Sequence, residues 1–147
     1  VNAFVANFIG ETNFFTGTVE KVEEEYFMLD TGRFGKIWFY KDMEVKIGQE
    51  IQVSLRPEKV KVTKEKPIAP QGVKINILEG IVDETIYLGS QTKYTVAVGD
   101  HYLQAFKQHV RYLLDEVIIT WKDRVYVWWF ADDSYVLREP GGVPVEE

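Results

Sequence analysis

The chain has 147 residues, of which 46% are hydrophobic and 27% charged; both fractions are near globular averages and exclude a disordered or fibrous chain. It has no cysteine, which excludes disulfide stapling, thiolate catalysis and cysteine-ligated zinc. A net charge of −6 repels phosphate backbones and argues against nucleic acid as the main partner.

His101 and His109 are the two histidines, and no spacing supplies them with a third metal ligand. The longest apolar run, 125–131, is far short of the roughly 20 residues a spanning helix requires. The N-terminus lacks the basic-then-apolar pattern of a signal peptide. The absence of cysteine fits a cytosolic protein. The sequence opens at Val1 without Met and reads as a piece of a longer polypeptide.

In chain order, residues 2–9 are expected to form a short helix. Asn2 can cap it, Phe4, Val5, Phe8 and Ile9 share one face, and Gly10 ends it. Beyond Asn13, β-branched and aromatic runs alternate with Gly and Asp turns. The pattern predicts strands over 15–22, 26–30, 35–39, 50–55 and 59–63, a spacing of about ten residues that suits small barrels or a sandwich. Gly32 accepts positive φ, so residues 30–33 read as a hairpin turn. Pro67 and Pro70 make 64–74 a linker, since proline removes a ladder donor. A second set of strands is expected over 75–87, 93–98, 102–106, 116–121, 125–130 and 135–137, with a short helical or turn segment over 110–114. The tail 139–147 is rich in Pro and Gly and is expected to be mobile. The first unit then spans 13–63 and the second 75–138, with 1–12 as a leading helix.

The two halves resemble each other. Asn13, Gly17, Val19 and Glu20 stand at the offsets of Asn76, Gly80, Val82 and Asp83. Residues 50–56 lie against 116–122, each followed by a Val-rich strand. The expectation is one five-stranded unit used twice, in which Gly17 and Gly80 allow a strand to bend across a barrel. Linked barrels with exposed edges also invite strand exchange between copies.

Residues Phe4-Val5-Ala6-Asn7-Phe8-Ile9-Gly10 followed by Asn13, Leu55-Arg56-Pro57-Glu58, residues 76–82, and Tyr87-Leu88-Gly89-Ser90-Gln91-Thr92-Lys93-Tyr94-Thr95-Val96 together resemble the C-terminal regulatory region of ABC-importer ATPases. This region is the TOBE domain, a transport-associated OB fold. The stretch 8–13 looks most like the spermidine/putrescine type; sugar, sulfate, iron and molybdate relatives share the architecture. The resemblance implies a mainly β fold of two OB-like barrels in tandem. It implies a regulatory and dimerisation role in a parent ATPase on the cytoplasmic side of the membrane. It also implies three partners: the parent's nucleotide-binding domain, a second copy and membrane permease subunits. ATP and Mg would belong to the preceding domain, with no cofactor in this fragment. Gly32-Arg33-Phe34-Gly35-Lys36-Ile37 does not make a phosphate-binding loop: its glycines are too close, Ile37 replaces Ser or Thr, and no helix follows. The fragment is not expected to be an enzyme.

Arg56 and Glu58 flank Pro57 and would point the same way in an extended segment. They read either as a charge pair at an interface that signals to the ATPase half, or as an internal pair holding a turn. Trp121, Trp128 and Trp129 crowd the second half. Trp128 and Trp129 fall on opposite faces of their strand, and core or subunit contact is the plainer reading. Asp132 and Asp133 follow these rings. Carboxylates beside aromatic faces suit a polyamine, through ion pairs and cation–π contacts; the alternative is a solvated turn. Glu23, Glu24 and Glu25 read as a solvated turn without acid–base chemistry. The rival reading is a stand-alone OB module for single-stranded nucleic acid or a small ligand, with Lys59, Lys61, Lys64 and Lys66 in its groove.

Overall fold

The computed structural model describes residues 12–109 and 118–137. The expected helix over 2–9, the segment 110–114 and the tail 139–147 lie outside the described residues. Within them the chain is mainly β. The strands are β1 (Asn13–Val22), β2 (Tyr26–Asp30), β3 (Lys36–Tyr40), β4 (Glu50–Leu55), β5 (Lys61–Thr63), β6 (Ile75–Tyr87), β7 (Gln91–Val98), β8 (His101–Gln108), β9 (Arg124–Phe130) and β10 (Tyr135–Leu137). Short 3-10 turns, Pro57–Lys59 and Ala131–Asp133, follow β4 and β9.

Alternation of apolar and polar positions decides which face of each strand turns inward. Phe27 and Leu29 of β2, Ile37 and Phe39 of β3, Ile51, Val53 and Leu55 of β4, and Val125, Val127 and Trp129 of β9 are all buried. They join one continuous core together with Phe15, Val19, Val82 and Val96. Phe15 of the first half stacks on Trp129 of the second at 5.4 Å, so the two halves share their interior. Residues 31–35 make the β2–β3 turn, with Gly32 and Gly35 at positive φ. The glycine-rich stretch is thus a hairpin, as its spacing predicts.

Two curled five-stranded sheets result, consistent with tandem OB-like folds. Their strand orders are β10-β4-β1-β2-β3 and β5-β9-β6-β7-β8. The sheets do not follow the expected division at the linker. β5 leaves the first half and pairs with β9 through Val62 opposite Val127. β10 leaves the second half and pairs with β4 through Val136 opposite Val53. Strand exchange therefore occurs between the halves of one chain.

The duplication is legible in structure down to single hydrogen bonds. β1 and β6 each carry a bulge at the acid after the matched valine, between Val19 and Lys21 and between Val82 and Glu84. A Cβ on Gly17 would lie 2.2 Å from the Asp30 carbonyl oxygen, and one on Gly80 2.6 Å from that of Ala97. Only glycine permits these approaches. Asn13 and Asn76 are buried and act as reciprocal clamps. The Asn76 side chain accepts from the Trp38 N–H at 2.9 Å and donates to the Trp38 carbonyl at 2.8 Å. The Asn13 side chain does the same to Gln104, at 2.8 and 2.9 Å. Trp38 sits on edge strand β3 and Gln104 on edge strand β8.

One expectation is corrected. Residues 118–121 form no strand; they lead into the turn that precedes β9. The true counterpart of β4 is β9, not 116–122. In the first half the Lys46 N–H donates to the Gln49 side chain, and the Gln49 N–H to the Lys46 carbonyl. In the second half Thr120 and Asp123 repeat both bonds. Gly48 then matches Lys122, and both have positive φ, 91° and 71°. Lys122 is the one non-glycine with positive φ among the described residues, so the glycine that marks the first turn is missing from the second.

Two predictions follow from the backbone. Lys122→Gly is expected to raise stability by about 1 kcal/mol, because the left-handed conformation costs a side-chain-bearing residue about that much. Gly17→Ala is expected to lower it by about 2–3 kcal/mol through the clash with Asp30. Thermal or urea unfolding measures both. Asn76→Asp is expected to cost about 2 kcal/mol by replacing the amide donor to the Trp38 carbonyl with a buried acceptor, and denaturant midpoints with an unchanged m-value check it.

Candidate functional site

The positions singled out in sequence fall in four places. Arg56 and Glu58 flank buried Pro57 at the 3-10 turn that packs on β8. The structure brings them together, with Arg56 Nη1 3.6 Å from Glu58 Oε2 and both side chains half exposed. A pair of this geometry contributes about 0–1 kcal/mol, so it does not anchor the turn by itself.

Trp128 and Trp129 point to opposite faces of β9, as alternation predicts. Trp129 is fully buried against Phe15, and its Nε1 finds no partner. Trp128 is half-buried on the outer face. Its Nε1 donates to Thr63 Oγ1 at 3.2 Å, and its ring meets Phe130 edge-on. The Lys61 ammonium hangs 5.8 Å from the Trp128 ring and 5.7 Å from that of Phe130. Asp132 and Asp133 close the 3-10 turn after β9, but Asp132 looks the other way, toward β2. Its Oδ1 accepts from the Tyr26 hydroxyl at 2.8 Å. Trp128, Trp129, Asp132 and Asp133 are therefore not gathered around one point.

A cluster that sequence reading missed sits on the outer face of β2 and β3. Tyr26, Trp38 and Tyr40 alternate with the core residues Phe27, Ile37 and Phe39, which places their rings outward. Tyr26 meets Tyr40 edge-on at 6.0 Å. Lys74, at the end of the linker, lays its ammonium 4.2 Å from the Trp38 ring and 5.7 Å from that of Tyr26. Glu23 Oε1 stands 3.6 Å from the same ammonium. The signal available in sequence was the alternation itself; nothing local tied Lys74 or Asp132 to it.

The Tyr26–Asp132 bond has an electrostatic consequence. Donation to Asp132, followed by burial and the negative charge of that carboxylate, pushes the Tyr26 phenol up to about 12. In the turn before β9, the Thr120 N–H first and Lys64 second hold the Asp123 carboxyl below its ordinary value.

The lysine group is divided. Lys64 pairs with Asp123 at 3.2 Å, and Lys61 lies over the β9 rings. His109 Nε2 is 2.6 Å from the hydroxyl of fully buried Thr92, and the His101 ring lies 5.7 Å from Phe34. Among the described residues no three His, Asp or Glu side chains converge as a metal site, and no helix is long and apolar enough to cross a membrane.

Residues 53–137 match the family model described as TOBE domain. The chain belongs to the TOBE domain family. The match begins inside β4 and ends with β10, so it takes in both exchanged strands. Relatives of this TOBE chain include the spermidine/putrescine import ATP-binding protein PotA of Thermotoga maritima, 41% identical over 139 residues, covering 94% of this chain and 37% of that protein. The protein of the same name from Protochlamydia amoebophila is 41% identical over 138 residues, covering 93% and 36%. That of Fusobacterium nucleatum is 38% identical over 143 residues, covering 93% and 38%. The chain thus spans little more than a third of the length of these relatives. Among solved structures, the cytoplasmic molybdate-binding protein ModG with molybdate bound superposes with a TM-score of 0.70 at 15% identity, covering 84% of this chain and 94% of that one. That likeness shows the fold alone.

The Tyr26 assignment is testable by tyrosinate absorbance. The neutral phenol is favoured in the folded state, so its contribution to stability is full below pH 10 and is lost as pH rises toward 12. Asp132→Asn is expected to bring the ionisation of Tyr26 down from about 12 toward 10.

Proposed function

We propose that this chain is the regulatory and dimerisation region of the ATP-binding subunit of a polyamine importer. The observation that carries the reading is the 41% identity over 94% of the chain to a protein named for spermidine/putrescine import. ATP and Mg are assigned to the parent's nucleotide-binding domain, which would lie on the cytoplasmic side and drive the permease subunits. This region's own part is mechanical and allosteric: it pairs with a second copy, holds the ATPase halves in register, and passes an effector's signal to them.

Physical features support such a role. The exchanged strands and shared core make the two barrels one stiff body, suited to transmitting a displacement whole. Apolar side chains stand out at the tip of the β6–β7 hairpin, Tyr87 65% and Leu88 48% exposed, and are available for contact with another surface. Arg56 and Glu58, half exposed at the rim of β8, are assigned to that signalling surface.

The test uses the parent ATPase with its permease in sealed vesicles. ATP-driven uptake of labelled spermidine, competed by putrescine, is expected. Deleting residues 12–137 is expected to weaken the ATPase dimer in sedimentation. Uptake of molybdate, sulfate or a sugar with no polyamine uptake would overturn the substrate assignment; an unchanged dimer would overturn the dimerisation role.

A further inference from the structure

We propose that the outer face of β2 and β3 is a binding site for the ammonium end of an alkyl diamine or polyamine, with Lys74 as its built-in competitor. The physiological ligand rests on the importer reading above; the chemistry of the site rests on this chain alone.

The site already holds an alkylammonium ion. Lys74 Nζ lies 4.2 Å from the centre of the Trp38 ring, the shortest cation–ring distance among the described residues, and 5.7 Å from that of Tyr26. Ring faces attract cations through their quadrupole, most strongly in tryptophan. Tyr26 is held in place from two sides: its edge meets Tyr40, and its hydroxyl is tied to Asp132 at 2.8 Å.

The duplicated architecture does not require these rings. Strand register makes Lys93, Gln104 and Phe106 the counterparts of Tyr26, Trp38 and Tyr40. The second half therefore builds the same sheet without an aromatic box. The Asn clamp needs only the backbone of residue 38, so it does not explain the tryptophan side chain.

Charge completes the site. Glu23 and Glu25 stand on one side of the rings and Asp132 on another, with Lys74 between Glu23 and the rings. The Lys74 ammonium reaches Glu23 at 3.6 Å, longer than the roughly 2.7–2.9 Å of a charge-assisted hydrogen bond. One lysine brings one charge. A diamine can place one ammonium on Trp38 and carry a second to the carboxylates. It must first displace a tethered group whose effective concentration is on the order of millimolar, so native affinity is expected on the order of millimolar as well.

Calorimetric titration of the 147-residue chain with spermidine and with putrescine decides the matter. Lys74→Ala is expected to bind about tenfold more tightly than the native chain, the size of one well-placed cation–π contact. Trp38→Leu in the Lys74→Ala background is expected to abolish that binding. Equal affinity of the native chain and Lys74→Ala, absence of binding in both, or binding retained after Trp38→Leu would each overturn the proposal. Thermal unfolding verifies that the variants are folded. If Trp38→Leu is not, Tyr26→Leu in the same background replaces it and is expected to weaken binding; unchanged binding there overturns the proposal equally. The two readings fail separately: spermidine uptake by the parent without ring-dependent binding removes this site alone, and ring-dependent binding in a chain whose parent imports another solute removes the importer reading alone.

Discussion

A buried asparagine amide laid against the backbone of a strand from the other half is the contact on which this architecture depends. An edge strand presents unpaired N–H and C=O groups that must be met or left to water. In β3 and β8 one residue each is met by an amide that accepts and donates as a neighbouring strand would. Aspartate has no donor for the second bond, and glutamine would push its amide one methylene further into a packed interior. The opposite edges, β4 and β9, are covered by the exchanged strands β10 and β5. Each half therefore closes the other on both sides, and the Phe15–Trp129 stack fills the space between them. Neither half has a complete core or finished edges by itself, so the folding unit is the pair.

That frame fixes what repetition demands and leaves the rest free to differ. Asn, Gly and Val recur because the clamp, the close approach and the core each require that residue type in both halves. Where the halves diverge, the frame gives no reason for the residue present. Trp129 replaces Leu55 and leaves an indole N–H buried without a partner. Lys122 replaces Gly48 and carries backbone strain. The β6–β7 hairpin outgrows β1–β2 and exposes its tip. Tyr26, Trp38 and Tyr40 make an aromatic face where the other half has Lys, Gln and Phe. Residues that the scaffold does not need are the ones available for work specific to one half.

Much of the fold was legible because the deciding signals are local. Alternation located the strands β1 to β4 and β6 to β9, and the matched Asn, Gly and Val announced the duplication before any reason for them was visible. The exchange was not legible. Lys61–Thr63 and Tyr135–Leu137 are three residues each, and their alternation is satisfied equally by either sheet; only the closure of distant edges selects one. Residues 116–121 read as a strand because they are apolar and because Lys122 stands where the first half has its warning glycine. At the candidate site, the Arg56–Glu58 pair follows from spacing, and the opposed faces of Trp128 and Trp129 follow from alternation. The Tyr26–Asp132 bond and the seat of Lys74 depend on where the chain crosses between sheets, which no local pattern encodes.

That crossing gives the aromatic face its position in the mechanics. Asp132 lies in the 3-10 turn through which the chain leaves β9 of one sheet to become β10 of the other. The Lys74 carbonyl accepts from the Ala131 N–H at the start of the same turn. The linker and the crossover are thus joined at the point where Tyr26 holds Asp132 and Trp38 holds the Lys74 ammonium. Trp38 is also the residue clamped by Asn76. A change in what occupies the aromatic face would act on the linker, on the exchanged strand and on one of the two clamps together. On a doubly closed scaffold, this junction ties the linker, the crossover turn and one asparagine clamp to the same pair of rings.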